Sequence, residues 1–483
     1  MNPVGVEGVS MHPLLEPLRE IVGAQHVADS DFVRMAYTRG PFQALGGGTR
    51  GRTPGIVVRP GSTDEVAGIM RLANETATPV VPKGGGGSVA AFPPPHVGNV
   101  GNILLDMTRL NQISIDRGSM TVTAGGGAIL ANVQAEARRQ NLHFFAVDVP
   151  IHMDTVGGVC SGFLGGGEPS DVATSGPMND YLLGLTVVLP TGMVVQTGGG
   201  PGTNIHQSRT LHREAGGPDA TGLFVGDGGA FGIKTEATYA LHPAPTSYFQ
   251  TVYRMGDSAR MWAAYTQLVE TAPFPYTRLL AFREPGDDWH FFVVIRGHSD
   301  EEVVVRRAIL ERILASHGGE PAPDSANFSR IAKMFSARRL GQQVLRNGSA
   351  MTYFGEGLVP RGNTLPYLQA VNRLIDAELA DLDIVKRVDF TVPFLRATTI
   401  TGVLLYFGNG TTRDLVSERL YTRTFRVLHE TLAREFGGFT EACQGEIAAL
   451  NAEMWSPSYR QFMKVLKTAM DPRDILMPNL WKI

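Results

Sequence analysis

The chain has 483 residues, with 43 basic and 46 acidic side chains and a net charge of −3. That length suits two or three domains, and the charge balance carries no basic excess of the kind that nucleic acid or an anionic membrane surface demands. No apolar run approaches the ~18 residues of a membrane-spanning helix, and Cys160 and Cys443, the two cysteines, cannot form a disulfide framework. A cytoplasmic location is therefore expected, in keeping with a first 30 residues that lack a basic stretch followed by an apolar core.

The 57 glycines are well above the usual ~7%. They cluster in short runs between apolar segments, as close approach of backbone to a ligand requires. In chain order, residues 12–40 predict one or two short helices. Gly46-Gly47-Gly48-Thr49-Arg50-Gly51 formally matches G-x-G-x-x-G. No strand precedes it and Pro54 follows at once, so it fails as a dinucleotide fingerprint. Gly55–Pro60 predicts a strand, and Ser62-Thr63-Asp64-Glu65 a capped helix start with apolar spacing through Val66, Ile69, Met70, Leu72 and Ala73.

Val80-Val81 then predicts a strand that delivers the backbone into Pro82-Lys83-Gly84-Gly85-Gly86-Gly87-Ser88. Successive bare N–H groups can turn inward as an anion-holding nest, to which Lys83 adds a positive charge. Pro93-Pro94-Pro95 forbid a helix directly after it, so phosphate contacts would come from loop backbone alone. Short strands follow at 103–106, 112–116 and 120–124, then a helix over 129–141. A second glycine-rich loop spans 148–167 and a hairpin spans Tyr181–Leu189 and Met193–Thr197. A third glycine-rich turn spans 223–235, with a strand expected over Glu236–Leu241. Gly232-Ile233-Lys234-Thr235 resembles the end of a Walker A motif, but the Gly-Lys order is broken, which argues against ATP.

Pro243–Pro245 marks a boundary. Beyond it, strands near 248–253, 279–283, 290–296 and 396–407 alternate with helices near 258–271, 300–317, 363–382 and 411–436, an α+β layer with an antiparallel sheet. The tail, Tyr459–Pro478, opens with a helix that ends at Asp471-Pro472, and Ile475-Leu476-Met477-Pro478-Asn479 follows.

Four motifs in order and spacing resemble the vanillyl-alcohol-oxidase / p-cresol-methylhydroxylase (PCMH) family of FAD-linked oxidoreductases, most fully over Thr53–Ala244. They are Lys83 through Ser88, Thr155-Val156-Gly157-Gly158, Gly229-Ala230-Phe231-Gly232-Ile233-Lys234-Thr235, and Asp471-Pro472 through Pro478. The resemblance implies an α+β fold: a helical lead-in (1–52), a two-subdomain PCMH-type FAD-binding domain (53–244), a cap over the substrate face (245–440) and a C-terminal segment (441–483) that returns to the FAD domain. The implied cofactor ligands are Pro82, Lys83, Gly84, Gly85, Gly86, Gly87, Ser88, Thr155, Val156, Gly158, Ser161, Gly162, Gly232, Ile233 and Asn479.

Family members that attach the flavin covalently use a histidine where this chain has Gly87, or a cysteine where it has Met153. Dissociable FAD is therefore expected, with Tyr353 in the cap the remaining residue that could form a link. The stretch Leu405–Gly410 lacks the paired metal-binding histidines of the hydroxy-acid branch, and His429 alone makes no metal site. No metal is expected. Cys160, in an apolar loop, reads as a packed residue and not as a nucleophile.

Flavin oxidation of a C–H bond needs an anchor for the substrate and a group to handle the departing proton. The candidates are His152 and Asp154 from the second loop, and Arg396, Tyr406 and Glu441 from the cap and tail. The implied activity is oxidation of an alcohol or C–H group of a small organic substrate, with O₂ or a protein or quinone carrier as electron acceptor and a cap-mediated homodimer as the family default. Two other readings remain: a non-redox transferase resembling alkyl-glycerone-phosphate synthase, and a flavin-less binding protein on the same fold.

Overall fold

Two short helices, α1 (Leu15–Val22) and α2 (Asp31–Ala36), flank a two-residue strand, β1 (Val27–Ala28). The structure is a computed structural model that describes residues 12–37, 53–86, 102–144, 152–162, 178–199, 212–214, 217–283, 288–323, 352–378, 384–394, 400–409, 430–439, 452–478, 480–481 and 483. Arg34 Nε donates to the carbonyl of Pro54 at 2.6 Å and ties α2 to the strand that follows, β2 (Ile56–Val58).

Ser62 and Glu65 decide where the first long helix begins. Ser62 Oγ accepts the Glu65 N–H at 3.1 Å, and Glu65 Oε2 accepts the Gly61 N–H at 2.6 Å. These bonds satisfy donors left open at the start of α3 (Thr63–Thr76). Val66, Ile69, Met70 and Ala73 are buried on one face. At roughly 1.5–3 kcal/mol for each large apolar side chain, that face contributes more than the cap. Strands β3 (Val80–Lys83) and β4 (Ile103–Asp106) complete a sheet of order β1-β2-β4-β3, in which β2, β4 and β3 run parallel.

The second sheet is antiparallel, of order β5-β6-β10-β8-β9. It contains β5 (Ile113–Asp116), β6 (Thr121–Gly125), β8 (Leu182–Val188), β9 (Val194–Gly198) and β10 (Ile233–Ala240). A two-residue pair, β7 (Leu142–His143) with β11 (His242–Pro243), lies beside it. The expected hairpin is β8–β9, and the expected helix is α4 (Leu130–Arg139). Two boundaries differ from the sequence reading. Within the second glycine-rich stretch, Val156–Ser161 form a short helix, α5. Glycines disfavour a helix, but Val156, Val159 and Cys160 bury their side chains, and tertiary packing overrides propensity. Strand β10 starts at Ile233, not Glu236, because pairing of Ile233 with Val188 carries the ladder back into the turn.

The third sheet has seven antiparallel strands in the order β15-β12-β14-β13-β17-β18-β16. These are β12 (Ser247–Gly256), β13 (Arg278–Arg283), β14 (Trp289–Gly297), β15 (Glu320–Pro321), β16 (Thr352–Pro360), β17 (Ile384–Phe394) and β18 (Ile400–Asn409). Helices α6 (Ser258–Glu270), α7 (Asp300–Ser316) and α8 (Thr364–Glu378) share a core with one of its faces, built on Trp289, Phe291, Val293, Tyr265, Leu310 and Tyr367. The alternate positions, including Phe282, His290 and Phe292, are buried on the opposite face. Of the strand expected over 396–407 the described part begins at Ile400, and of the helix expected over 363–382 the described part runs to Glu378. Of the long helix expected over 411–436, the described part is α9 (Thr431–Phe436). The chain closes with α10 (Pro457–Met470), capped by Ser456 with proline in its first turn. Among the described residues no helix is long and apolar enough to cross a membrane.

Candidate cofactor site

The end of β3 and the start of α5 meet at main-chain distance. A Cβ on Gly84 would collide with Thr155 Oγ1, and one on Gly85 with the Met153 carbonyl. Only glycine lets the first loop lie this close to the second. Gly86, at φ +71°, has just one neighbour among the described residues within 4 Å of where its Cβ would stand: the Lys83 side chain, its ammonium 3.6 Å away. The loop thus presents backbone on one side and a cation on the other.

The second loop is fixed from behind. Leu130 N–H donates to the Asp154 carbonyl at 3.0 Å, Val156 N–H to Ala128 at 2.9 Å and Gly157 N–H to Gly126 at 2.7 Å. Gly126 and Gly127 approach the carbonyls of Lys234 and Met107 so closely that neither position has room for a side chain. Thr155 Oγ1 accepts the Gly158 N–H at 3.4 Å and caps α5.

The third turn hangs from the far end of α5: Gly226 and Gly228 donate to the carbonyls of Cys160 and Ser161, each at 2.9 Å. Inside it, Asp227 accepts the Gly229 N–H at 2.9 Å and the Phe231 N–H at 3.2 Å, and is ion-paired with Lys234. Both side chains are fully buried, so the carboxylate serves as an internal scaffold for the turn. The tail docks on the same place. Val80 and Leu476 form a parallel bridge, Val80 N–H donates to Ile475 at 2.7 Å, and Met477 N–H donates to Val80 at 3.0 Å. Lys467 Nζ joins tail to turn, donating to Leu476 at 2.7 Å and to Ala230 at 3.2 Å.

Residues 54–198, which contain the first two loops, match the FAD binding domain family. Over nearly the whole chain the sequence is similar to the glycolate oxidase subunit GlcD of Bacillus subtilis (strain 168). The two are 29% identical over 493 residues, covering 96% of this chain and 95% of that protein. The fold is similar to 4-ethylphenol oxidase from Gulosibacter chungangensis in its isoeugenol complex, with a TM-score of 0.78, 18% identity, and 100% and 98% of the two chains covered. It is also similar to alkyldihydroxyacetonephosphate synthase, with a TM-score of 0.74, 17% identity, and 99% and 86% covered. The chain carries an FAD binding domain over residues 54–198 and has the PCMH-type FAD-binding fold.

Burial sets the electrostatics of the site. Desolvation holds the Lys83 ammonium below the ordinary lysine range, with Asp106 pulling the other way. Burial pushes the Asp154 carboxyl up to about 8, so it is neutral at pH 7. Burial also pushes the Cys160 thiol up to about 11, against a hydrogen bond with Tyr239 Oη at 2.9 Å. A fully buried, protonated thiol is no nucleophile.

The structure brings Pro82, Lys83, Gly84, Gly85 and Gly86 together with Asp154 and Thr155. His152 stands exposed at the entrance to the second loop. Val156 is buried in the core, Ser161 and Gly158 spend backbone groups within the fold, and Gly162 ends α5. Gly232 is packed against Val187 and Phe224, and the Ile233 side chain is core. Tyr406 lies at a register position opposite Phe354 and Val388 in the third sheet. Gly87, Ser88, Arg396, Glu441 and Asn479 lie outside the described residues. Among the described residues no three of His, Cys, Asp and Glu converge as metal ligands would.

Several groups that shape the site were not among the expected site residues: Tyr37, Gly126, Gly127, Asp227 and Lys467, with Lys234 and Asp471 read only as members of motifs. The run Thr121–Gly127, a strand ending in three glycines, carried a signal for two of them. Asp227 and Lys234 join a turn to the start of β10, seven residues apart, where no periodicity marks the pair, whereas Lys467 and Asp471 stand four apart at the end of α10, a helical spacing that the sequence does carry.

Proposed function

We propose that this enzyme binds FAD across the first two glycine loops and oxidises an alcohol or C–H group of a small organic substrate by hydride transfer to flavin N5. The observation that carries this reading is the contact between Gly85 and Met153, which is too close for any side chain. It makes the two loops one continuous backbone surface, flanked by the Lys83 cation, that fits a diphosphate and a flat ring system. Bound FAD would supply the hydride-accepting isoalloxazine ring.

The chain's own residues divide the remaining work. Lys83 and the N–H groups of Gly84–Ser88 hold the diphosphate. The second loop and the third turn, with Asn479 from the tail, line the ring and its chain. Asp154, neutral at pH 7, donates a hydrogen bond to the substrate oxygen and becomes a proton acceptor as it ionises near pH 8. His152 stands at the entrance, and Arg396, Tyr406 and Glu441 anchor the substrate from the cap and tail. Residues 53–244 form the FAD domain, 245–440 the cap, and 441–483 the returning tail. FAD is dissociable, because Gly87 and Met153 offer no side chain for a covalent link.

The test is a visible spectrum of the purified protein before and after acid precipitation, followed by anaerobic addition of 2-hydroxy acids and 4-alkylphenols. The reading expects flavin bands, colour released to the supernatant, and bleaching by one substrate class. Absence of flavin bands after adding FAD overturns it. A flavin that no electron donor bleaches turns the case toward the transferase.

A further inference from the structure

The N-terminal helices are formally a lead-in to the FAD domain, yet one of their residues reaches the first glycine loop. Tyr37 ends α2, where its N–H donates to the Arg34 carbonyl at 3.1 Å, and Arg34 is tied to Pro54. Its approach to the sheet is thus fixed at two points. From there the Tyr37 hydroxyl donates to Asp106 Oδ2 at 2.6 Å, and the Tyr37 ring lies under the Lys83 ammonium, 4.9 Å from Nζ to ring centroid. That distance is within the ~6 Å over which a cation is held by an aromatic face.

Asp106 does not satisfy Lys83 directly, although the two are register partners on β4 and β3. Its carboxylate is already engaged by Tyr37, by Thr108 N–H at 2.9 Å and Thr108 Oγ1 at 2.6 Å, and by Arg59 at 3.5 Å. Among the described residues the Lys83 ammonium meets no hydrogen-bond acceptor; a ring face is its partner. A partly desolvated cation so under-compensated favours an anion. The side chain that carries it bends back over Gly86, the glycine held at φ +71°.

We propose that Tyr37 is a positioning residue for the cofactor site, holding Lys83 over the first glycine loop as the counter-ion of the FAD diphosphate. The inference rests on the FAD reading and adds the N-terminal segment to the machinery that binds the cofactor. The hydroxyl anchors the ring to Asp106, the ring holds the ammonium above the loop, and the ammonium meets the phosphates.

The experiment is a fluorescence titration of the full-length, flavin-stripped protein with FAD and, separately, with riboflavin, which lacks the diphosphate. Tyr37→Leu removes ring and hydroxyl and is expected to weaken FAD about tenfold, the worth of one partly desolvated cation–ring contact. Tyr37→Phe keeps the ring and is expected to lose about threefold, and Lys83→Met about thirtyfold or more. Riboflavin affinity stays unchanged in all three, and added NaCl weakens FAD less in Lys83→Met than in the wild type. Equal losses for FAD and riboflavin would assign Tyr37 a general structural role and overturn the inference, as would a Tyr37→Leu protein with wild-type FAD affinity. A wild-type protein that binds no FAD overturns the cofactor reading itself, and this inference with it.

Discussion

Lys467 Nζ lies 2.6 Å from Asp471 Oδ2, and both residues are buried where the C-terminal tail meets the third glycine turn. Asp471 also accepts the N–H groups of Ile475 and Leu476, at 3.1 and 2.9 Å, so one carboxylate shapes the turn that pairs with Val80. Removing one partner of a buried ion pair leaves the other uncompensated, at a cost of about 3–5 kcal/mol. Lys467→Met is expected at the lower end, about 3 kcal/mol, because two backbone donors still face Asp471. Arg434→Ala is the contrast: its 3.7 Å pair with Glu430 is solvent-exposed, and the change is expected to stay within about 0.5 kcal/mol. Urea unfolding of the two variants checks both; equal effects would sink the clamp.

Gly85→Ala tests the contact between the first two loops. A Cβ there has backbone against it, the Met153 carbonyl, so the loops must part. The expected outcome is a folded protein that purifies with little or no flavin and shows at least a hundredfold weaker FAD binding, about 2.7 kcal/mol. Gly217→Ala is the control, because nothing among the described residues lies within 4 Å of its added methyl group. Flavin content, read as the ratio of visible to ultraviolet absorbance, decides. Full occupancy in Gly85→Ala would show that the two loops do not need this contact to hold FAD.

The parts of this molecule legible in the sequence were those written in local pattern. The start of α3 could be read from Ser62 and Glu65, the β8–β9 hairpin from Pro190-Thr191-Gly192, and the cofactor loops from glycine runs that end strands. What could not be read depends on contacts between distant segments. Val156–Ser161 look like loop until the core that receives Val156 and Cys160 is known. Lys234 looked like a misplaced Walker lysine until Asp227 was found to bury it. Tyr37 carries no motif, and its partners Asp106 and Lys83 are brought to it by the parallel pairing of β3 with β4.

Cys160 provides a chemical check on the core behind the second loop. Its thiol is buried, hydrogen-bonded with Tyr239 Oη at 2.9 Å and pushed up to about 11. A thiol reagent at pH 8 is expected to leave it untouched in the native protein and to modify it once urea unfolds the chain. The Cys443→Ala variant isolates the signal, since Cys160 is then the sole cysteine. Stoichiometric native labelling of that variant would show that the packing around α5 opens to solvent.

The last prediction concerns pH. Burial raises the Asp154 carboxyl to about 8, whereas in the unfolded chain it titrates near 3.9. Between those values the folded protein holds a proton that the unfolded chain has released. Stability from this group is therefore fully present below about pH 4 and is lost as pH rises toward 8, at up to about 1.4 kcal/mol per pH unit. This is the reverse of the usual behaviour of a salt-bridged carboxylate. Asp154→Asn keeps the shape without the titration. The flavin-free wild type is expected to lose stability relative to Asp154→Asn at each step from pH 5 to 7, as measured by urea unfolding. In the holoenzyme, a rise in turnover through about pH 8 is expected in the wild type and not in the variant, because only the ionised carboxylate can accept a proton. Parallel stability curves for the two proteins would remove the raised pKa, and with it the assignment of Asp154 as a neutral donor at pH 7.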